Sequence, residues 1–197
     1  KICRISFIKN NFMKRTIFLT EVGLRDGLQN VDTILPIPDK LNIIEGLIKA
    51  GLKKIQITSF VNKTLIPQMA DAEELISRLP KSDEIIFSGL VLNQKGLERA
   101  IISGINQVDL SISTSETYSQ KNTRMGTKAA MNSLKKMIKK ARESNLRVRV
   151  GLQCVWGCVY DGKPNQDRIL KIIDDIVEME PDIISLADST GMANPMT

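Results

Sequence analysis

The chain has 197 residues, a length that suits one domain of ordinary size or a large part of one. Hydrophobic residues make up 42% and charged residues 25%, which is typical of a globular chain and argues against disorder. The net charge is +6, and the sequence contains no histidine. These residues therefore cannot complete a serine–histidine–aspartate triad, an imidazole proton relay or a histidine-ligated metal site.

The modest positive charge does not predict nucleic-acid binding, because aromatic residues make up only 4% of the chain. The densest basic stretch, residues 135–140, falls on one side of a helix whose other side is apolar, as on a solvated helix face. No apolar run reaches the roughly 18 residues that a membrane span requires. Neither nucleic acid nor a membrane is therefore expected as a partner.

Short segments rich in Ile and Val alternate with amphipathic segments along most of the chain. The predicted strands cover residues 16–22, 54–60, 84–91, 107–113, 147–155 and 182–187, and the predicted helices cover residues 37–50, 69–79, 94–103, 127–144 and 165–179. We expect several of these strands to be apolar on both faces, as in Ile55-Gln-Ile57 and Val148-Arg-Val150. Such strands favour a parallel sheet that is covered on both sides.

The repeated βα units predict an α/β fold, either an open doubly wound sheet or a (βα)8 barrel. Polar and glycine residues follow several different strands, whereas an open sheet would concentrate them at one switch point. We therefore predict a TIM (βα)8 barrel that is incomplete here, with about six of its eight βα units present, since a closed barrel typically needs about 250 residues.

No linker interrupts the series of units, so one domain is expected over residues 16–197, with an extension over residues 1–15. That extension is basic, with no acidic residue before Glu21, which fits a transit peptide or an upstream segment ahead of a natural start at Met13. We favour the second interpretation. The three cysteines do not predict a disulfide framework, so a reducing compartment is expected, namely the cytoplasm with the mitochondrial matrix as the alternative.

Two loops carry candidate catalytic residues. Arg25 and Asp26 follow the first strand, where Asp26 could ligate a hard divalent cation and Arg25 could stabilise an oxyanion, although a structural ion pair is the alternative. Asp188 follows the sixth strand and could transfer a proton, or else cap a turn together with Ser189 or Thr190.

Five segments of the chain carry a family resemblance. Residues 21–30 (EVGLRDGLQN) resemble the first-strand signature of the hydroxymethylglutaryl-CoA lyase family, within the wider group of metal-dependent lyase and synthase barrels. The other similar segments are residues 58–61 with 66–71, Ser115-Glu116 with Lys121-Asn122, residues 153–163, and residues 187–191. They follow one another in the family's order over residues 16 to 195, so the resemblance covers nearly the whole chain.

The resemblance implies a barrel that cleaves hydroxymethylglutaryl-CoA to acetyl-CoA and acetoacetate with Mg²⁺ or Mn²⁺. It also implies an acyl-CoA substrate and a homodimer for the full-length protein. By similarity, Asp26 is the metal ligand, Arg25 stabilises the enolate of the departing thioester, and Asp188 belongs to the acid–base apparatus. The residues that the resemblance assigns to substrate binding are Gln29, Ser59, Lys121 and Asn122. Cys154 and Cys158 match family positions near the site, where we expect them to pack.

The chain departs from the family pattern in two places. Gln56 occupies a catalytic position where the family usually carries glutamate, and an amide cannot hold a charge or act as a base. A related Claisen-type enzyme acting on another acyl-CoA is therefore an alternative. The family's other ligands, a His-x-His pair and an asparagine, are expected beyond Thr197 together with a loop that bears a catalytic cysteine. The 197 residues alone are thus expected to be inactive, and a non-catalytic scaffold is a second alternative.

Overall fold

In a computed structural model of the protein, which describes residues 17–194 and 196, six strands form one parallel sheet. The strands are β1 (Thr20–Glu21), β2 (Lys54–Ser59), β3 (Ile86–Val91), β4 (Gln107–Ser113), β5 (Arg147–Gln153) and β6 (Ile183–Leu186). Each strand pairs with the next one along the chain, in the order β1-β2-β3-β4-β5-β6. This order is that of a (βα) barrel and lacks the reversal of a doubly wound sheet. The prediction of an incomplete barrel is confirmed.

Helices connect the strands. They are α1 (Ile37–Lys49), α2 (Ala72–Ser77), α3 (Gln94–Ser103), α4 (Glu116–Thr123), α5 (Thr127–Glu143) and α6 (Gln166–Val177). Local signals set several of their ends: the Asn93 side chain accepts a hydrogen bond from the backbone N–H of Gly96 at the start of α3, and Gly104 ends that helix with φ of 74°. Among residues 17–194, no helix has the length and apolar character that crossing a membrane requires.

The hydrophobic core lies between the sheet and the helices. Its fully buried side chains include Val108 and Val148 on the strands and Leu134 and Ile138 on α5. The opposite face of α5 carries the exposed lysines, so the prediction of a solvated face there is confirmed.

The prediction that the strands are apolar on both faces is wrong for the two segments that suggested it. The middle residues of those segments, Gln56 and Arg149, lie on the other face of the sheet and join a polar cluster there.

Strand β1 is shorter than predicted. Only Thr20 and Glu21 pair with β2, whereas Ile17, Phe18 and Leu19 are between 68% and 82% exposed. The strand lies at the edge of the sheet and has one hydrogen-bonding neighbour, so an apolar run alone does not extend it. The predicted extension over residues 1–15 and position 16 lie outside the described residues.

Several other elements differ from the sequence prediction, most of them at their ends, and three of the differences have a clear cause. Strand β5 ends at Gln153 because Cys154 takes φ of 58°, outside the strand conformation. Helix α2 begins later than predicted, after a 3₁₀ turn at Pro67–Met69. Helix α4 was not predicted, because it has almost no apolar stripe; the Ser115 hydroxyl caps it by accepting a hydrogen bond from the N–H of Tyr118.

Candidate active site

The loop after β1 forms a tight turn at the carboxyl edge of the sheet. A π-helical turn over Gly23–Gly27 continues into a 3₁₀ turn over Leu28–Asn30. The backbone N–H groups of Arg25 and Asp26 both donate to the Val22 carbonyl, at 3.0 and 2.7 Å. Both side chains are therefore held where β1 ends, which is where barrel enzymes place their chemistry.

Arg25 and Asp26 form an ion pair on this rim. The guanidinium lies 2.6 Å from the Asp26 carboxylate, and the Gln29 amide donates to the same oxygen at 3.3 Å. The Arg25 side chain is 18% exposed, whereas that of Asp26 is 57% exposed. The pair thus presents an accessible carboxylate at the surface and directs the guanidinium towards the sheet.

A second contact joins Arg25 to β2. Its Nε donates to Oε1 of Gln56 at 2.5 Å, and the Gln56 side-chain N–H₂ donates to the carboxylate of Asp109 on β4. Burial lowers the pKa of the Arg25 guanidinium, and the carboxylates of Asp26 and Asp109 act in the opposite direction. The sheet therefore holds a chain of polar contacts from the rim to a buried carboxylate.

Asp109 is the centre of this buried cluster and is only 4% exposed. Besides the Gln56 amide, it accepts hydrogen bonds from the Ser88 hydroxyl at 2.7 Å and from the Gln107 amide at 2.8 Å. The Arg149 guanidinium lies 3.9 Å from the same carboxylate. Three side chains thus donate hydrogen bonds to this buried carboxylate, and a fourth, Arg149, lies near it with the opposite charge. The four come from four different strands.

Strand register explains why these residues meet. Gln56 is paired with Ser88, Ser88 with Gln107, and Asp109 with Arg149 across parallel neighbours. Alternate residues of a strand share one face, so the register places all five on the same side of the sheet. Sequence reasoning missed Asp109; the available signal was the alternation of polar with apolar residues in both β4 and β5.

The structure places Asp188 in a turn after β6. Its carboxylate accepts hydrogen bonds from the backbone N–H groups of Met192 and Ala193, at 2.9 Å each. The neighbouring hydroxyls connect this turn to the segment after β5. The Ser189 hydroxyl accepts a hydrogen bond from the N–H of Cys154, and the Thr190 hydroxyl donates one to the backbone carbonyl of Gly157. A capped turn, one of the two interpretations of this segment, is therefore present, and a role in proton transfer stays a prediction.

The predicted substrate residues lie in three places. Gln29 contacts Asp26, as described above, and Ser59 is buried at the end of β2, where its hydroxyl has no hydrogen-bond partner among the described residues. Lys121 and Asn122 lie exposed on α4, and the Lys121 ammonium is 4.5 Å from the centre of the Tyr160 ring.

One aspartate joins the segments that follow β4 and β5. The Asp161 carboxylate accepts hydrogen bonds from the hydroxyls of Ser115 and Thr117, at 2.6 and 2.5 Å. These contacts fix the start of α4 against the loop that bears Tyr160. Cys154 and Cys158, close to this junction, are buried and unbridged, as expected for packing residues.

The described residues do not by themselves form a metal site. Within 17–194 and 196, no group of three or more Cys, Asp or Glu side chains is placed to hold an ion. Divalent cations of the Mg²⁺ type bind several oxygen ligands in near-octahedral geometry. The Asp26 carboxylate is exposed at the carboxyl edge of the sheet, and its role as a metal ligand stays a prediction.

A cavity of about 210 Å³ lies at the opposite end of the sheet. Its lining includes the first residues of several strands, among them Thr20, Lys54, Ile86 and Ile183. Barrel enzymes carry their sites at the carboxyl ends of the strands, so this cavity is not the candidate site.

Parallel strands in barrel order, with charged side chains on the loop after β1, define a protein of the TIM-barrel class. The chain belongs to the HMGL-like family, whose model matches residues 16–197. The family resemblance seen in the sequence is thereby confirmed.

Two curated relatives show how far the similarity extends. A hydroxymethylglutaryl-CoA lyase of Bacillus subtilis is 34% identical over 181 residues, which are 92% of this chain and 60% of the relative. The mitochondrial hydroxymethylglutaryl-CoA lyase of Macaca fascicularis is 33% identical over 93% of this chain and 56% of the relative. The chain therefore spans less than two thirds of the length of these relatives.

Solved structures give the same result for the fold. The hydroxymethylglutaryl-CoA lyase of Pseudomonas aeruginosa superposes with a TM-score of 0.85 at 32% identity, covering 90% of this chain and 59% of the other. An HMG-CoA lyase of Acinetobacter baumannii, solved in complex with coenzyme A and 3-methylmalate, also gives 0.85 at 30% identity, covering 91% and 58%.

Proposed function

We propose that the natural protein cleaves hydroxymethylglutaryl-CoA to acetyl-CoA and acetoacetate, as a carbon–carbon lyase that depends on a divalent cation. The observation that carries the proposal is the Arg25–Asp26 pair on the loop after β1, within the segment that resembles the family's first-strand signature. The named relatives from Bacillus subtilis and Macaca fascicularis support the choice of substrate.

Two negative charges must be stabilised during the reaction, one on the substrate's hydroxyl oxygen and one on the enolate. The substrate's tertiary hydroxyl loses its proton as the carbon–carbon bond breaks, and the electron pair is left on the acetyl thioester as an enolate, which then takes up a proton. The Arg25 guanidinium, held by Asp26 and Gln56, is suited to stabilise that enolate oxygen. Asp26 is exposed and suited to bind Mg²⁺ or Mn²⁺, which when bound would supply Lewis acidity at the substrate oxygens.

The remaining assignments belong to the same proposal. The acyl-CoA substrate contacts Gln29, Ser59, Lys121 and Asn122, and Asp188 takes part in proton transfer. The complex of the Acinetobacter baumannii enzyme with coenzyme A supports an acyl-CoA as ligand. We further infer one barrel domain from residue 16 onward, a homodimer, and a location in the cytoplasm, with the mitochondrial matrix as the alternative; sedimentation measures the oligomeric state.

The proposal is tested by turnover of hydroxymethylglutaryl-CoA in the protein at its natural length, with Mg²⁺ or Mn²⁺ and a coupled assay for the products. Asp26→Ala and Arg25→Met are each expected to lower kcat/KM by about 100-fold or more, because each removes a charge that meets the reacting atoms. The exposed Lys49→Ala variant serves as the control and should match the wild type.

The 197-residue chain provides the second arm of the test. Because its described residues offer one carboxylate to a cation, its turnover should not exceed that of the same chain carrying Asp26→Ala. Full activity of Asp26→Ala at natural length would contradict the proposal. Activity of the 197-residue chain that depends on Asp26 would instead contradict the expectation that these residues alone are inactive.

A further inference from the structure

We propose that Asp109 is a positioning residue that acts on Arg25 through the side chain of Gln56. The inference rests on the proposed function in one respect, namely that Arg25 is the group that meets the substrate. The carbonyl side of the Gln56 amide faces Arg25, and its N–H₂ side faces Asp109. One amide therefore links a buried carboxylate to a guanidinium on the rim.

The direction of the amide follows from the chemistry of its two neighbours. An ionised carboxylate only accepts hydrogen bonds, and a guanidinium only donates them. Asp109 must meet the N–H₂ group of Gln56, which leaves Oε1 for the Nε of Arg25. A reversed amide would place a carbonyl against a carboxylate and N–H₂ against N–H. Asp109 thus fixes the orientation of Gln56, and Gln56 fixes the side chain of Arg25.

The base of this arrangement is rigid, because the sheet supplies it. Asp109 is held by Ser88 on β3 and by Gln107 on its own strand β4, with Arg149 on β5 nearby. The carboxylate is buried among paired strands and does not depend on the turn that carries Arg25. A group anchored in this way can hold a rim side chain in one place.

The same geometry explains why glutamine suits position 56 in this chain. A glutamate there would bring a second carboxylate into hydrogen-bond distance of Asp109, and two such groups repel unless they share a proton. The negative charge that faces Arg25 lies one side chain deeper, at Asp109. Glutamate at position 56 is therefore better suited to a neutral residue at position 109 than to a second ionised carboxylate.

The test is an exchange of charge between the two positions, with three variants: Gln56→Glu, Asp109→Asn and the double variant. In the double variant the new glutamate accepts from Arg25 and from the new asparagine, so both contacts persist with the charge moved. At natural length, kcat is expected to fall at least tenfold in Gln56→Glu and by a smaller factor in Asp109→Asn. The double variant should return to within about threefold of the wild type.

A positioning role predicts that KM for hydroxymethylglutaryl-CoA stays within about threefold throughout while kcat changes, because the effect falls on the transition state. Gln166→Glu makes the same substitution at an exposed glutamine and should leave both constants unchanged. If the two single effects simply multiply in the double variant, or if Gln56→Glu alone matches or exceeds the wild type, the proposal is overturned.

Urea unfolding of the 197-residue chain separates this inference from the proposed function, because unfolding needs no substrate. The midpoint should fall by on the order of 0.5 M in Gln56→Glu and return in the double variant. Additive midpoint shifts would overturn the coupling even if turnover is observed. If the coupling is found but the wild type does not cleave hydroxymethylglutaryl-CoA, the proposed substrate is wrong and the coupling between Gln56 and Asp109 stands.

Discussion

Two buried charges, Lys40 and Asp109, show how similar burial can serve different purposes. Lys40 lies on α1 and is 2% exposed. Its ammonium donates at 2.8 Å to both carboxylate oxygens of Asp71 and to the backbone carbonyl of Gln68. The three N–H groups of the ammonium thus meet three oxygen acceptors. No donor is left over, and we call this a closed pair. Its contacts tie α1 to the segment before α2.

Asp109 is buried to nearly the same degree, but its contacts lead outward. Hydrogen bonds from Ser88 and Gln107 anchor it, and the contact through Gln56 continues to Arg25 on the rim. Removal of the Lys40 ammonium leaves a carboxylate without its partner, whereas removal of one donor to Asp109 leaves others in place. We therefore expect the closed pair of Lys40 and Asp71 to matter more for the stability of the fold. The cluster around Asp109 should matter more for the geometry of the candidate active site.

The largest expected effect on stability comes from Lys40→Ala. Breaking a buried ion pair by removing one partner leaves an uncompensated charge, and because Asp71 retains some exposure we expect a loss of about 3 kcal/mol. Urea unfolding at pH 7 measures it. Lys49→Ala, on the same helix but 80% exposed and 3.8 Å from Glu45, should change the free energy of unfolding by less than about 0.5 kcal/mol. Equal losses of stability in Lys40→Ala and Lys49→Ala would show that the buried pair stabilises the fold no more than an exposed one.

A smaller effect is expected from Ser88→Ala in the Asp109 cluster. The variant removes one buried hydrogen bond, but the carboxylate keeps the amides of Gln56 and Gln107. We therefore expect a loss of about 1 kcal/mol. The control is Ser77→Ala, an exposed serine whose hydroxyl donates to a backbone carbonyl. A loss as large as that of Lys40→Ala would mean that Ser88 alone holds Asp109.

The smallest stability effect is expected where a pair is partly exposed, as for Arg99 and Glu73 between α3 and α2. Hydrogen bonding from Arg99, at 2.5 and 3.1 Å, lowers the pKa of Glu73 to about 2. Because that pKa is depressed, the pair stabilises the fold fully above pH 4.5, the ordinary value, and loses this contribution as the pH falls towards 2. At neutral pH its net contribution should lie below about 1 kcal/mol, less than the pKa shift alone would imply, because solvent screens this partly exposed pair and holding two long side chains in one geometry costs entropy.

An NMR titration of the Glu73 carboxyl carbon tests this directly. In Arg99→Gln the pKa should rise towards 4.5, whereas Lys63→Gln, which removes a lysine 3.2 Å from the same carboxylate, should shift it less. A pKa that stays near 2 without Arg99 would show that another group holds the charge.

The sequence by itself determined the order of βα units and most helix positions. Helix α3 has the predicted bounds, and α1 and α5 end within one residue of theirs, because apolar spacing acts locally, as do the glycines that follow α1 and α3. The loop with Arg25 and Asp26 was also predictable, since it follows the first strand directly. Similar local signals were too weak for α4, whose stability depends on the Ser115 cap and on its contact with Asp161.

Only the tertiary structure decided how the polar residues of different strands combine. Gln56 and Asp109 are 53 residues apart, and their contact depends on the register of three parallel strands, which no local pattern specifies. In the sequence, Gln56 is only a departure from the family's glutamate. In the folded sheet it is the residue that joins a buried carboxylate to Arg25, because its amide donates to the carboxylate of Asp109 and accepts from the guanidinium of Arg25.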